Sequence, residues 1–213
     1  MTSAVIIDYG IVNLKNIYRG FESVGARVES SVDPNRVRKA DRVVLPGVGA
    51  FESGMKELQA LGMDEAVKHV ADAGRPILGI CLGMQMLLET STEYGRHLGL
   101  GLIGGSVLPI PTGEEGQLRR KIPHIGWNAL QHPHHGGDWA NSCLRRTPVD
   151  TFFYFVHSFM VVPDDDTHVL GQCAYEGLRL TGAIKKGDVT GLQFHPERSG
   201  PAGLEVLRNF VFP

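Results

Sequence analysis

Three side chains have types and spacing suited to acyl-transfer chemistry: Cys81, His195 and Glu197. Cys81 lies in Pro-Ile-Leu-Gly-Ile-Cys-Leu-Gly-Met-Gln (76–85), with Gly79 and Gly83 flanking it at two residues on either side. The Gly-x-nucleophile-x-Gly pattern marks a sharp strand-to-helix turn that exposes the nucleophile at a strand's carboxyl end. Such a turn leaves no room for a Cβ at the flanking positions, hence the glycines. A helix N-terminus beside the thiol favours thiolate. A cysteine in an apolar strand also reads as a plain buried residue, and a base is what separates the two readings. His195-Pro196-Glu197 offers one. Pro196 fixes its own φ and pushes His195 towards extended backbone. Residues two apart in extended chain point the same way, so Glu197 can fix the tautomer and orientation of the imidazole. Together they make a Cys–His–Glu triad, in which the base raises the thiolate fraction.

An acyl-enzyme needs an oxyanion site as well. One donor is the backbone N–H of Leu82, the residue after the nucleophile. A second is expected from Gly47-Val48-Gly49, whose glycines let the N–H groups of Val48 and Gly49 turn towards a ligand. The same loop also reads as an ordinary Pro-Gly turn between strand and helix.

These groups need a scaffold that gathers strand ends. The first 92 residues alternate strand and helix: strands at Ala4–Asp8, Arg27–Val32, Arg42–Leu45 and Ile77–Leu78, with helices between them. Asn13 is the expected cap of the first helix, and Asp33-Pro34 opens a short one. The run Met84, Leu87, Leu88, Ser91 has helical spacing after the nucleophile. Alternation of this kind predicts an α/β fold, a three-layer α/β/α sandwich around a central, mostly parallel sheet. Such a sheet brings strand carboxyl ends to one edge, where ligands bind. The second half is richer in Gly, Pro and His. It has strand-like runs at Gly105–Ile110, Gly126–Gln131, Thr151–Val162, Val169–Tyr175, Leu180–Lys185 and Val189–Phe194, then a closing helix through Leu204 and Val211. The polar segment His132–Pro148 reads as a surface excursion.

Composition bounds the function. The 213 residues fit one domain, taken as 1–213, and a net charge of −2 gives no reason to expect nucleic acid or an anionic membrane as partner. Three widely spaced cysteines form neither a disulfide framework nor a metal site, which fits a reducing, cytoplasmic setting. No metal and no cofactor are expected: His132-Pro133-His134-His135 lacks a convincing ligand set, and no phosphate-cradling loop is present.

Gly-Ile-Cys-Leu-Gly-Met-Gln (79–85), Phe-His-Pro-Glu (194–197) and Pro-Gly-Val-Gly-Ala-Phe (46–51) resemble the triad class of glutamine amidotransferases. Ile-Asp-Tyr-Gly (7–10), Pro-His-Ile-Gly-Trp-Asn (123–128) and Tyr-Phe-Val-His-Ser-Phe (154–159) are similar to one group within it, the HisH-type glutaminase subunits of imidazole glycerol phosphate synthase. The resemblance implies that Cys81 attacks the carboxamide of glutamine. His195, held by Glu197, then protonates the departing ammonia and activates the water that releases glutamate. It implies substrate contacts at Gly49, Gln85, His157, Ser158 and Phe159. It also implies an interface at Trp127, Asn128 and Arg198 with a cyclase subunit, a HisF-type (β/α)8 barrel, in a heterodimer. That barrel would use the ammonia in histidine biosynthesis. Trp127 reads equally as an exposed anchor or a core residue. Two positions depart from the pattern: Arg198 where the family usually has Lys, and Phe159 where many members have Tyr. The alternative they leave open is a related amidotransferase serving another acceptor, such as a sugar amidation pathway with a cyclase-like partner.

Overall fold

The computed structural model describes residues 3–10, 14–113, 120–134 and 137–213. Asn13, the expected helix cap, and His135 lie outside the described residues.

The first half alternates as its hydrophobic pattern requires: β1 (Ser3–Ile7), α1 (Leu14–Ser23), β2 (Arg27–Ser31), α2 (Pro34–Arg38), β3 (Arg42–Leu45), α3 (Phe51–Ala60), α4 (Met63–Asp72), β4 (Ile77–Ile80) and α5 (Leu82–Met86). Asp33 caps α2 through its side chain, which accepts from the Asn35 N–H at 2.9 Å. Strands then follow one another: β5 (Thr90–Ser91), β6 (His97–Leu98), β7 (Gly105–Pro109), β8 (His124–Gln131), β9 (Thr151–His157), β10 (Phe159–Pro163) and β11 (Val169–Tyr175). The chain closes with β12 (Leu178–Lys186), β13 (Val189–Leu192) and α6 (Gly200–Val211).

The central sheet runs β2-β1-β3-β4-β13-β12-β11-β8-β9. Pairings from β2 to β13 are parallel, and those from β13 to β9 are antiparallel. The α/β class and the parallel core are as expected, with an antiparallel extension of similar width. Alternating side chains make the three layers. Ala4 and Ile6 of β1, Val44 of β3 and Leu78 and Ile80 of β4 pack with α1 and α6 on one face. Val5, Ile7, Val43, Leu45 and Ile77 pack with α2, α3, α4 and α5 on the other. At about 25 cal/mol per Å² of apolar area, burying the helix faces on both sides is what holds the strand ends in place.

Three expectations need correction. The helix after Cys81 stops at Met86 instead of continuing through Ser91, because the chain turns at Leu87–Leu88 and enters the two-residue β5. The run Thr151–Val162 is two strands in two sheets. β9 ends the large sheet, and after Ser158 β10 joins a small one ordered β10-β7-β5-β6. The segment 132–148 is not merely a surface excursion. Trp139, Cys143 and Leu144 are buried in the core, and the Trp139 indole N–H donates to the Leu170 carbonyl at 2.6 Å.

Candidate active site

Cys81 follows the last residue of β4, between the carboxyl ends of β3 and β13. Its φ of 54° and ψ of −111° lie in a region that L-residues rarely adopt. Strain of this kind persists only where surrounding structure enforces it. Here the Cys81 N–H donates to the Leu192 carbonyl at 2.7 Å, and its own carbonyl accepts from Gln85 at 3.2 Å. A Cβ on Gly79 would sit 2.7 Å from the Gly83 carbonyl oxygen, and one on Gly83 would sit 1.8 Å from the Leu45 oxygen. Both flanking glycines are therefore required by backbone crowding, as the pattern predicts.

The Pro46–Gly49 loop leaves β3 beside this turn. A Cβ on Gly47 would lie 2.4 Å from the Tyr9 hydroxyl and 3.2 Å from the Gly83 nitrogen. The Tyr9 hydroxyl donates to the Pro46 carbonyl at 2.7 Å, pinning the loop from below. Burial, and then the negative charge of Cys81, hold the Tyr9 phenol well above its ordinary pKa, so it stays a neutral donor. Gly49 has a φ of 99°, a conformation that favours glycine. Val48, Gly49 and Leu82 border one cavity with Cys81 and His195.

β13 ends at Leu192, and the chain continues through Gln193 and Phe194 to His195. His195 is extended, but Pro196–Arg198 form a 3-10 turn. Glu197 thus reaches the imidazole by the turn, not by strand alternation. The His195 Nδ1 donates to Glu197 Oε1 at 2.8 Å, and the Glu197 side chain is 3% exposed. Gly20 of α1 makes room for it: a Cβ there would lie 3.3 Å from Glu197 Cβ. Ser199 ties the strand end to β9, donating to the His195 carbonyl at 2.7 Å and accepting from the Tyr154 N–H at 3.0 Å. The other ring nitrogen, Nε2, is buried without a hydrogen bond of ordinary geometry. Cys81 and His195 line the same cavity. Burial pulls the His195 pKa down, but interactions with Cys81 and then Glu197 outweigh it and push it up to about 10.

The cavity beside Cys81 has a volume of about 410 Å³, room for a free amino acid. Gln85, His157, Ser158 and Phe159 line it. The Gln85 Nε2 donates to Gln193 Oε1 at 3.1 Å and to the Phe159 carbonyl at 3.5 Å, so its amide is partly engaged within the wall. Three contributors escaped the sequence reading. Gln193 is fully buried and directs its amide at the Cys81 sulfur, 3.8 Å away. Glu93, 8% exposed, lines the cavity and accepts from the Phe51 N–H at 2.6 Å. Ser199 is the third. Glu93 and Ser199 stand beside short turns that carry no periodic signal. Gln193 is hidden within an apolar run.

A larger cavity, about 550 Å³, opens at the amino ends of β3 and β13. Its thiol, Cys143, is pushed up to about 12 by burial and has no base of the His195 kind beside it.

Trp127 is 52% exposed on the outer face of β8, edge-on to Tyr154 of β9, and Arg198 lies 4.7 Å above the Tyr154 ring. Asn128 points the other way, as its neighbour in a strand must. Its amide is bonded to His124 at 2.8 Å and to the Ala174 carbonyl at 2.7 Å.

Among the described residues no helix is long and apolar enough to cross a membrane. The family described as Glutamine amidotransferase class-I matches residues 5–213. A Legionella pneumophila (strain Lens) protein named imidazole glycerol phosphate synthase subunit HisH 1 is 47% identical over 212 residues, 99% of each chain. The subunit HisH of Geobacter sulfurreducens is 42% identical over 217 residues, 99% of this chain and 98% of its own. Among solved structures, PurLQS from Thermotoga maritima aligns with a TM-score of 0.72 at 21% identity, over 98% of this chain and 97% of that one. The glutaminase domain of Trypanosoma brucei CTPS with bound acivicin aligns at 0.64 and 12% identity, over 99% and 94%. With its elbow cysteine and strand-end histidine on one rim, the chain belongs to the class-I glutamine amidotransferase family, in the group of the HisH subunits.

Proposed function

We propose that residues 1–213 act as one glutaminase domain, which hydrolyses glutamine to glutamate and ammonia through Cys81, His195 and Glu197. The observation that carries this reading is the imidazole of His195, bonded to Glu197 and lining with Cys81 one amino-acid-sized cavity. Cys81 and Glu197 raise the His195 pKa against burial, and an imidazolium is the partner a thiolate nucleophile needs.

The thiolate attacks the carboxamide carbon, and the oxygen gains the electron pair of the C=O bond. N–H groups of Leu82 and of the Val48–Gly49 loop are the donors for that oxyanion. His195 gives its proton to the nitrogen, the C–N bond breaks, and ammonia leaves a thioester. Water then attacks with His195 as base, the C–S bond breaks, and glutamate departs. Glu93 is the carboxylate that meets the ammonium end of glutamine.

Ammonia in neutral water is mostly protonated and is no nucleophile, so its consumer must dock on the cavity's rim. The cluster of Trp127, Tyr154 and Arg198 on β8, β9 and the turn after His195 is the docking face for a HisF-type cyclase barrel in a heterodimer. The product would be imidazole glycerol phosphate, as the names of the relatives suggest, and the reaction would take place in the cytoplasm.

Cys81→Ala tests this. In the complex with a histidine-pathway cyclase, the variant should lose glutamine-dependent synthesis by a factor of about 10⁴ or more. Synthesis from added ammonia should be retained. Survival of both activities would sink the nucleophile assignment. Glutaminase activity without any synthesis by the wild-type complex would point to another acceptor.

A further inference from the structure

The register of β8 and β9 sets His124 directly across from His157, on the buried face of the strand pair. Their rings meet edge-on, with His124 Nδ1 2.9 Å from His157 Nε2. Each ring's outer nitrogen faces an oxygen that can only accept. His157 Nδ1 is 2.7 Å from the Phe159 carbonyl oxygen. His124 Nε2 is 2.8 Å from Asn128 Oδ1. The Asn128 amide cannot be turned round, because its Nδ2 already donates to the Ala174 carbonyl at 2.7 Å. Both outer nitrogens therefore carry protons. The inner contact is a hydrogen bond only if one of its two nitrogens carries a proton too. Two outer protons and one inner proton make three, and two neutral imidazoles hold two. With two, bare lone pairs would face each other inside the fold, an arrangement buried polar groups avoid.

Burial opposes the extra charge. It is the first cause lowering both rings, drawing His157 down to about 4, and the charges of His124 and then His195 act in the same direction on His157. Working for the charge are the Phe159 carbonyl, the Asn128 amide and the Glu176 carboxylate. Two aromatic rings also flank His124, Tyr175 with its centroid at 4.1 Å and Phe155 at 5.1 Å, and ring faces attract cations. The acceptors at both ends decide the count, because no neutral tautomer pair satisfies all three contacts.

We propose that His124 and His157 hold three protons between them at neutral pH, and that this buried cation positions the Ser158–Phe159 segment and supplies positive charge for the carboxylate end of the amino-acid substrate. The substrate part rests on the glutaminase reading above. His157 lines the same cavity as Glu93, so the cavity carries the two signs that a zwitterion needs. His124 and Asn128 are positioning residues, acting through His157. The Phe159 carbonyl that His157 grips also accepts from Gln85, so loss of the third proton would loosen one wall of the cavity.

The test uses the full chain with Cys81→Ala, which cannot turn glutamine over. Nitrogen-15 spectra of labelled histidine at neutral pH should show three protonated nitrogens in one coupled pair of rings. Glutamine affinity should fall as pH rises and the third proton leaves. Asn128→Leu removes the outer acceptor, frees the pair to go neutral, and should weaken glutamine about tenfold. Asn128→Asp keeps an acceptor, adds a negative charge, and should hold the third proton and the affinity to higher pH. Two neutral rings at neutral pH would overturn the proposal, whatever the glutaminase does. Equal weakening by Asp and Leu, with unchanged pH dependence, would overturn the positioning role. Three protons in a protein that ignores glutamine would uphold the proton count and overturn the substrate part together with the glutaminase reading.

Discussion

The parallel and antiparallel halves of the central sheet contribute to the site in different ways. In the parallel half, the residues proposed for the chemistry sit on loops that leave strand carboxyl ends: Pro46–Gly49 after β3, Cys81 after β4 and His195 beyond β13. Backbone packed on backbone fixes these positions, as the absent Cβ atoms of Gly79 and Gly83 record. The antiparallel half supplies the wall. There the chain leaves one sheet for another at Ser158, and side-chain hydrogen bonds between His124, Asn128, His157 and the Phe159 carbonyl set the shape. Reacting atoms are thus held by crowding that has no slack, and the wall by polar contacts that can be exchanged.

The sharpest way to break this contrast is a pair of added methyl groups. In Gly83→Ala the new Cβ would stand 1.8 Å from the Leu45 carbonyl oxygen, so β3 or the elbow must move. We expect a loss of at least about 3 kcal/mol in urea unfolding, with glutaminase activity abolished. Gly171→Ala, in β11, would meet only the Leu130 side chain, with contacts of 3.1 to 3.3 Å. It should cost about 1 kcal/mol or less and leave activity near wild type. Equal costs at the two positions would remove the distinction.

A smaller effect separates the two buried histidine systems. His195 has its pKa raised to about 10, against burial, by Cys81 and Glu197. A raised histidine stabilises the fold in full below its unfolded pKa, about 6.5, and loses that contribution as pH climbs through the folded value. Glu197→Gln keeps the shape and removes one of the two raising contacts. The variant should melt below wild type at pH values under about 6.5, and the gap should close towards about pH 10. Catalysis should fall by a factor of about 10² to 10⁴, because the imidazole loses its orienting carboxylate. Melting curves that stay parallel across this range would remove Glu197 from the account of His195.

The same division explains what could be read from the sequence. The parallel half was legible nearly to the residue. Its strands are short apolar runs between Gly and Pro signals, and its nucleophile turn demands glycines that announce themselves. The antiparallel half was legible as strands but not as an arrangement. Nothing local distinguishes Thr151–Val162 as one strand from two strands in different sheets, because the break at Ser158 is made by what pairs on either side. Trp139 and Leu144 looked like surface because polar neighbours surround them, though tertiary contacts bury them. The His195–Glu197 contact was expected from strand alternation and arises from a 3-10 turn. Spacing two apart fits both geometries, since Pro196 suits the first position of the turn as well as an extended end.

The mildest change probes the outer flank of the antiparallel half. Trp127 is 52% exposed, and among the described residues its single ring contact is the edge-on packing with Tyr154 at 6.1 Å. Truncation to Ala removes little buried area from the isolated chain, so unfolding should shift by no more than about 0.5 to 1 kcal/mol. If the exposed rings are the docking face, the same truncation removes an aromatic anchor that a partner desolvates. Affinity for the cyclase should then fall by at least about tenfold, a change of about 1.4 kcal/mol. Calorimetric titration of the variant into the cyclase, set beside its urea curve, separates the two roles. A variant that unfolds markedly earlier would make Trp127 a structural residue of the strand pair. One that binds the partner like wild type would move the interface away from this flank and leave the exposed stripe of Ile125, Trp127 and Phe152 without a partner.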